Sequence, residues 1–161
     1  PTLSTEQAVR PHVRELGLGL GLRAQVDYNG DDELTFFGGG LVFRYIFVPR
    51  FGLELTVDGL GNDERRLEVP ISLSALVIFN PRGHVQPYLI IGSNVTISTD
   101  LDEEVSAVYS GGHFGVGTEF MIGRRLGVTI EARTFVQDII NEDHDDIEWG
   151  LTFNTGFNFY I

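Results

Sequence analysis

Six charged residues stand where charge is unexpected. Arg23, Arg44, Glu54, Glu119, Glu131 and Arg133 each interrupt a stretch in which apolar residues alternate with small or polar ones, and each takes the small or polar side. Successive side chains of a strand point to opposite faces, so all six lie on the weaker face of their sheet. Charges enclosed by a fold need partners, and three cations with three carboxylates on one face supply them to each other. Such a set does one of two things: it forms a static ion-pair network that closes an interior, or it gates a narrow ion path. Arg44, Glu54 and Glu119 stand near one end of their strands, and Arg23, Glu131 and Arg133 nearer mid-height. Which arginine meets which carboxylate depends on the stagger of the strands, which alternation leaves open.

Two acidic clusters offer a second chemistry. Asp100, Asp102, Glu103 and Glu104 form one; Glu142, Asp143, Asp145 and Asp146 flank His144 in the other. Oxygen-rich groups suit Ca²⁺ or Mg²⁺, but neither cluster has the spacing of an EF-hand loop. They read as solvated surface charge, with weak divalent-cation binding as the chemistry on offer. His113 shares the inward face with Glu119 and Tyr88, its expected neighbours, yet no serine stands near it in an evident triad arrangement. His12, His84 and His144 read as arm, turn and loop residues. There is no P-loop, zinc signature or G-x-S-x-G, and "GLGLGL" and "GGG" lack the strand-to-helix context of a dinucleotide loop. The formal sequon "NVT" (94–96) falls inside a strand. No cofactor is expected.

These residues must be positioned by strands. Period-two alternation recurs eight times, over about 16–28, 34–47, 51–61, 66–79, 85–98, 109–122, 126–137 and 147–161. The connections differ in kind. "VPR", "NPRGH" and "GRR" are short and carry Arg50, Arg82, Arg124 and Arg125 with no acid. "NGDDE", "GNDERR", "TDLDEEVSA" and "DIINEDHDD" are longer or more acidic. An up-and-down meander puts the two sets at opposite ends. Residues 1–15 read as a polar arm or linker ahead of a single domain spanning 16–161.

Composition narrows the partners. The chain of 161 residues has a net charge of −12, which disfavours nucleic acid. All eleven basic residues are arginine. The absence of cysteine removes disulfides, thiolate metal sites and a cysteine nucleophile.

The facing of the sheet decides the fold. Eight strands close into a barrel whose interior just holds side chains. Putting most of the Leu, Ile, Val and Phe inside would overfill it. The weaker face carries Gly17, Gly19, Gly21, Gly38, Gly40, Gly115 and Gly117, the small residues a crowded lumen needs, rather than the charge of a wetted sheet. Turned inside out, the greasy face meets lipid and the closed ladder leaves no backbone group unpaired in hydrocarbon. Tyr28, Phe47, Phe51, Phe79, Phe120, Trp149 and Phe159 near strand ends match an aromatic girdle. The expectation is an all-β, eight-stranded antiparallel up-and-down transmembrane barrel. A soluble barrel with an apolar ligand inside is the opposite facing. Pro70 and Pro87 would have to sit at bulges or strand ends.

The chain resembles the small bacterial outer-membrane barrels of the OmpA/OmpX-like superfamily. "VQPYLIIGSN" (85–94) is similar to its PYL-x-x-G strand. "GGHFGVGTEFMIGRRLGVTIEARTF" (111–135) is similar to its glycine-rich hairpin with a basic tight turn and closing E-x-R. "NTGFNFYI" (154–161) is similar to its C-terminal assembly signal, carried by Asn154, Gly156, Phe159 and Ile161, although the family usually ends in Phe. The resemblance implies a Gram-negative outer membrane, insertion by the outer-membrane assembly machinery, periplasmic termini and acidic loops outside. Those loops would meet lipopolysaccharide, cations or a protein partner, on the extracellular or the periplasmic side. The functional expectation is a non-enzymatic envelope barrel with a salt-bridged, plugged lumen. The alternatives are a narrow low-conductance channel and a lipid-modifying enzyme using His113.

Overall fold

Each alternating segment forms a strand in the computed structural model, which describes residues 17–30, 35–62, 66–100, 106–123, 125–139 and 147–161. The strands are β1 (Gly17–Asn29), β2 (Thr35–Val48), β3 (Phe51–Gly61), β4 (Arg66–Ile78), β5 (Val85–Asp100), β6 (Ser106–Ile122), β7 (Leu126–Ile139) and β8 (Glu148–Tyr160). Each pairs antiparallel with its neighbours in sequence, and β1 pairs with β8. The sheet is therefore a closed barrel without an edge. The arm 1–15 lies outside the described residues.

Register fixes the stagger. Followed from partner to partner, Leu20, Phe43, Leu55, Leu73, Ser93, Gly112, Val136 and Trp149 lead back to β1 at Gly30, ten residues beyond Leu20. A staggered eight-stranded barrel tilts its strands by about 35–45° and leaves an interior that side chains fill. Alternation then sorts the faces. Leu18, Leu20 and Leu22 are exposed on the outside, as are all seven aromatic residues of the expected girdle, whereas Gly17 and Gly19 are buried.

Irregularities have local causes. The β2–β3 register shifts between Ile46 and Val48, so Phe47 and Val48 both face out. Pro70 lies mid-strand, where the β3–β4 ladder lacks the pairs of Asp58 and Gly59; it has no amide hydrogen to give there. Pro87 lies near the start of β5, its carbonyl accepting from the Phe79 amide at 2.9 Å. Gly123, at φ 72°, makes the left-handed residue of the β6–β7 turn. β5 and β6 run further toward their loop than alternation suggests, through the polar pair Thr99 and Ser106, which carries no apolar signal.

Candidate functional site: the barrel lumen

The lumen is filled in layers, read from the short-turn end. First come Ile46, Leu76, Ile78, Tyr88, Ile90, Met121 and Tyr160, a buried cluster that crosses the interior. This layer differs from the expectation of a small or polar lumen. Near their short-turn ends, "YIFV" (45–48), "ALVIF" (75–79), "LII" (89–91) and "FMI" (120–122) are apolar on both faces. Alternation vanishes there, and the inward half is invisible to it.

The ion pairs lie above. Glu54, 1% exposed, accepts from both Arg44 and Arg133: Arg44 Nε at 2.9 Å and through Nη2, and Arg133 Nη2 at 2.7 Å. Arg44 faces Glu54 directly across the β2–β3 ladder. Arg133 also donates through Nε to Glu131, which accepts from Tyr88 Oη at 2.9 Å and Asn154 Nδ2 at 3.0 Å. Glu119 is 3.7 Å from Arg44 and accepts from Tyr160 Oη and Asn158 Nδ2. The Arg44 guanidinium also lies over the Tyr88 ring, 5.0 Å from its centre. Five of the six expected charges thus share one network. Arg23 joins a separate pair, forking onto Asp58 from Nε at 2.7 Å and Nη2 at 2.5 Å and reaching Thr56 Oγ1 at 3.3 Å. Asp58 is absent from the six. Its place on the inward face of β3, two residues from Thr56, was the available signal.

Between the network and the outer mouth lies a small, open-mouthed cavity of about 40 Å³ with many polar residues in its walls. Arg23, Gln25, Asp27, Asn94, His113 and Gln137 are among its walls. Gln25 Oε1, Asp27 Oδ1 and Asn94 Oδ1 are buried acceptors that no protein donor reaches among the described residues. Buried polar groups of this kind are ordinarily met by water. Nearer the mouth, Arg66 packs between the Phe36 and Tyr109 rings, donates to Ser98 Oγ at 2.7 Å and pairs with Glu68 at 3.2 Å.

Glycine makes these layers fit. Tyr88 lies opposite Gly117, Arg133 opposite Gly115, Tyr160 opposite Gly19 and Arg23 opposite Gly156. A Cβ at Gly117 or Gly19 would run into the tyrosine ring beside it, whereas at Gly115 or Gly156 it would first meet the backbone carbonyl of Ala132 or Leu22. At Gly117 and Gly19 the missing Cβ is a notch that receives a ring, and at Gly115 and Gly156 it lets neighbouring backbone approach closely.

His113 does not meet Glu119 or Tyr88. Its Nε2 is 2.8 Å from Ser74 Oγ, and the two residues are 6% and 2% exposed. The serine that alternation left unplaced comes from β4, next but one to β6, with Gly92 of β5 in register between them. Both residues are buried inside the barrel, His113 against the lumen cavity, and neither faces the lipid side.

Residues 2–159 match the family described as outer membrane protein beta-barrel domain. The chain belongs to that family. No curated protein sequence matches it significantly. Among solved structures it is similar to Neisserial surface protein A (TM-score 0.71, 10% identity, 89% of this chain and 96% of that one). It is also similar to the N-terminal barrel of Pseudomonas aeruginosa OprF (TM-score 0.62, 17%, 88% and 97%). The attachment invasion locus protein Ail of Yersinia pestis gives a TM-score of 0.57 at 17% identity, over 92% and 99%. At these identities the likeness is one of fold.

This outer-membrane barrel resides in the outer membrane of a Gram-negative bacterium. Its apolar exterior meets lipid, so the soluble alternative falls away. Short turns of such barrels face the periplasm and long loops face out. Of the two acidic clusters only Asp100 is described, at the end of β5 opposite Arg66. Asp102, Glu103, Glu104, Glu142, Asp143, His144, Asp145 and Asp146 lie outside the described residues, and the described residues contain no group of three or more potential metal ligands. Of the four residues of the C-terminal signature, Phe159 and Ile161 are exposed on the lipid side. Asn154 is bound to Glu131, and Gly156 lies opposite Arg23, where a Cβ would meet the Leu22 carbonyl.

Proposed function

We propose that this outer-membrane barrel is a non-enzymatic envelope protein, closed to ions, whose role is structural or surface-interacting. The observation that carries the reading is the apolar layer of Ile46, Leu76, Ile78, Ile90 and Met121 beneath the ion pairs. An ion path needs continuous hydration, and an apolar constriction expels water. A gate in the charge network alone would still open onto that layer. The acidic loops would do the surface work, meeting lipopolysaccharide phosphates through divalent cations or meeting a basic protein. Phe159 and Ile161, outward on the last strand, would present the contact for the assembly machinery. Lipid modification is disfavoured because the Ser74–His113 pair is inside the barrel, where an acyl chain in the bilayer does not reach it.

Planar bilayers test this. The purified barrel should add no current over the bare membrane across a voltage ramp. Unitary steps that change when Glu131 or Arg133 is neutralised would replace the reading with the narrow channel.

A further inference from the structure

The short-turn rim is a charged surface that the lumen does not use. Arg50, Arg82 and Arg125 are exposed in the β2–β3, β4–β5 and β6–β7 connections, and those connections contain no acid. Their backbone is held in place. The Arg50 carbonyl accepts from Ile78 at 2.8 Å, the His84 carbonyl from Met121 at 2.7 Å and the Arg125 carbonyl from Tyr160 at 2.7 Å. Each connection is thus tied to the strand beyond its own hairpin, and the three cations are spaced round the rim at fixed points. Apolar surface begins immediately beside them: Phe51 follows Arg50, Phe79 precedes Arg82 by three residues and Ile122 precedes Arg125 by three, all three exposed outward. In the outer membrane this edge lies at headgroup depth on the periplasmic side. Arginine lays its stem along apolar surface and keeps its head in the polar layer, where the guanidinium matches phosphate as a two-pronged donor.

We propose that Arg50, Arg82 and Arg125 form a rim that recruits anionic phospholipid, of the phosphatidylglycerol class, from the periplasmic leaflet. Charge complementarity selects this occupant over a zwitterionic lipid. An ethanolamine or choline headgroup brings a cation that seeks a carboxylate, and the three connections hold none. The whole protein carries a net charge of −12 and so disfavours anionic lipid, and these acid-free connections are where the sign reverses.

The test uses the barrel reconstituted in phosphatidylcholine bilayers with trace spin-labelled lipid. Electron spin resonance gives the association of labelled phosphatidylglycerol relative to labelled phosphatidylcholine. One cation near an anionic lipid changes its binding by up to about fivefold, so the wild-type ratio should be severalfold above one. In R50Q/R82Q/R125Q it should fall to about one while the heat-dependent gel mobility of a folded barrel is kept. Should that variant not fold, R50K/R82K/R125K decides: its preference should persist at low salt and collapse at ~0.5 M, where screening is within a few ångströms. A wild-type ratio of one overturns the proposal. So does a preference that survives the glutamine substitutions, or one indifferent to salt in the lysine variant. A ratio of one together with retention on murein sacculi would assign the rim to the cell wall and equally refute it.

Discussion

Replacing Glu54 with glutamine should destabilise the folded barrel by about 3 kcal/mol. The magnitude follows from its contacts. Glu54 is 1% exposed and serves two guanidinium groups, Arg44 through Nε and Nη2 and Arg133 through Nη2 at 2.7 Å. Glutamine keeps one acceptor oxygen, but its amide group turns donors toward the other arginine. Hydrogen bonds to charged groups contribute roughly 1.5–3 kcal/mol each, and breaking a buried pair costs about 3–5 kcal/mol. Glu131 still holds Arg133, and Glu119 remains 3.7 Å from Arg44, so the loss falls at the lower end. The assay is urea unfolding of the barrel in lipid vesicles, read by the fluorescence of Trp149. That residue is the sole tryptophan, outward-facing and 47% exposed, so its emission reports departure from the lipid. Glu119→Gln is the internal comparison. Tyr160 and Asn158 donate to it as neutral groups and Arg44 stands further off than it does from Glu54, at 3.7 Å, so it should lose about half as much. The reasoning fails if Glu54→Gln unfolds within about 0.5 kcal/mol of wild type, or if Glu119→Gln costs as much.

Three further outcomes are expected from the same unfolding measurement. Gly117→Ala should destabilise by about 1–3 kcal/mol, because its Cβ would overlap Tyr88, whereas Gly59→Ala, with nothing within 4 Å of the new carbon, should be near neutral; equal losses would contradict the notch reading. Leu76→Ala, in the apolar lumen layer at 1% exposure, should lose about 3 kcal/mol, and the lipid-facing Leu73→Ala roughly half of that; the reverse order would place Leu76 outside the packed interior. His113→Gln keeps one hydrogen bond to Ser74 and should cost about 1 kcal/mol or less; wild-type hydrolysis of a lipid ester that this substitution abolishes would make His113 a catalytic residue instead.

The wall of this barrel was legible in its sequence because it obeys a single rule. One face must meet hydrocarbon and the other must not, so every strand alternates, and even the interrupted strand at Pro70 keeps its facing on both sides of the break. The inward placement of Arg23, Arg44, Glu54, Glu119, Glu131 and Arg133 is the same rule applied residue by residue. The pairings were not legible. Arg44 with Glu54 is a direct cross-strand pair, but Arg133 with Glu54 joins β7 to β3 across the lumen, and no local pattern reports it. Ser74 meets His113 over Gly92 of the intervening β5, a juxtaposition set by the register of three strands and not by any one of them. Asp58 was passed over although its face was assigned, because an aspartate near a strand end resembles the approach to a loop. The apolar layer is not legible because a buried residue of the lumen cluster and one facing lipid are chosen for the same greasiness.

The order of the layers bears on the strength of the ion pairs. Ion pairs gain strength where the medium around them is poor in water and lose it where water is admitted. Here the network has an apolar floor and a polar cavity above, so its lower members, Arg44, Glu54 and Glu119, are the ones shut away from solvent. A charge network with water on both sides would be a weak obstacle, since hydrated side chains exchange partners readily. With one side dry, separating Arg44 from Glu54 strands two charges against Leu76 and Ile90, at a cost the solvent does not repay. The floor therefore bears on the ion pairs above it as well as filling its own layer. It makes the pairs above it costly to open, and it does so with residues that read, in the sequence, as part of the outer wall.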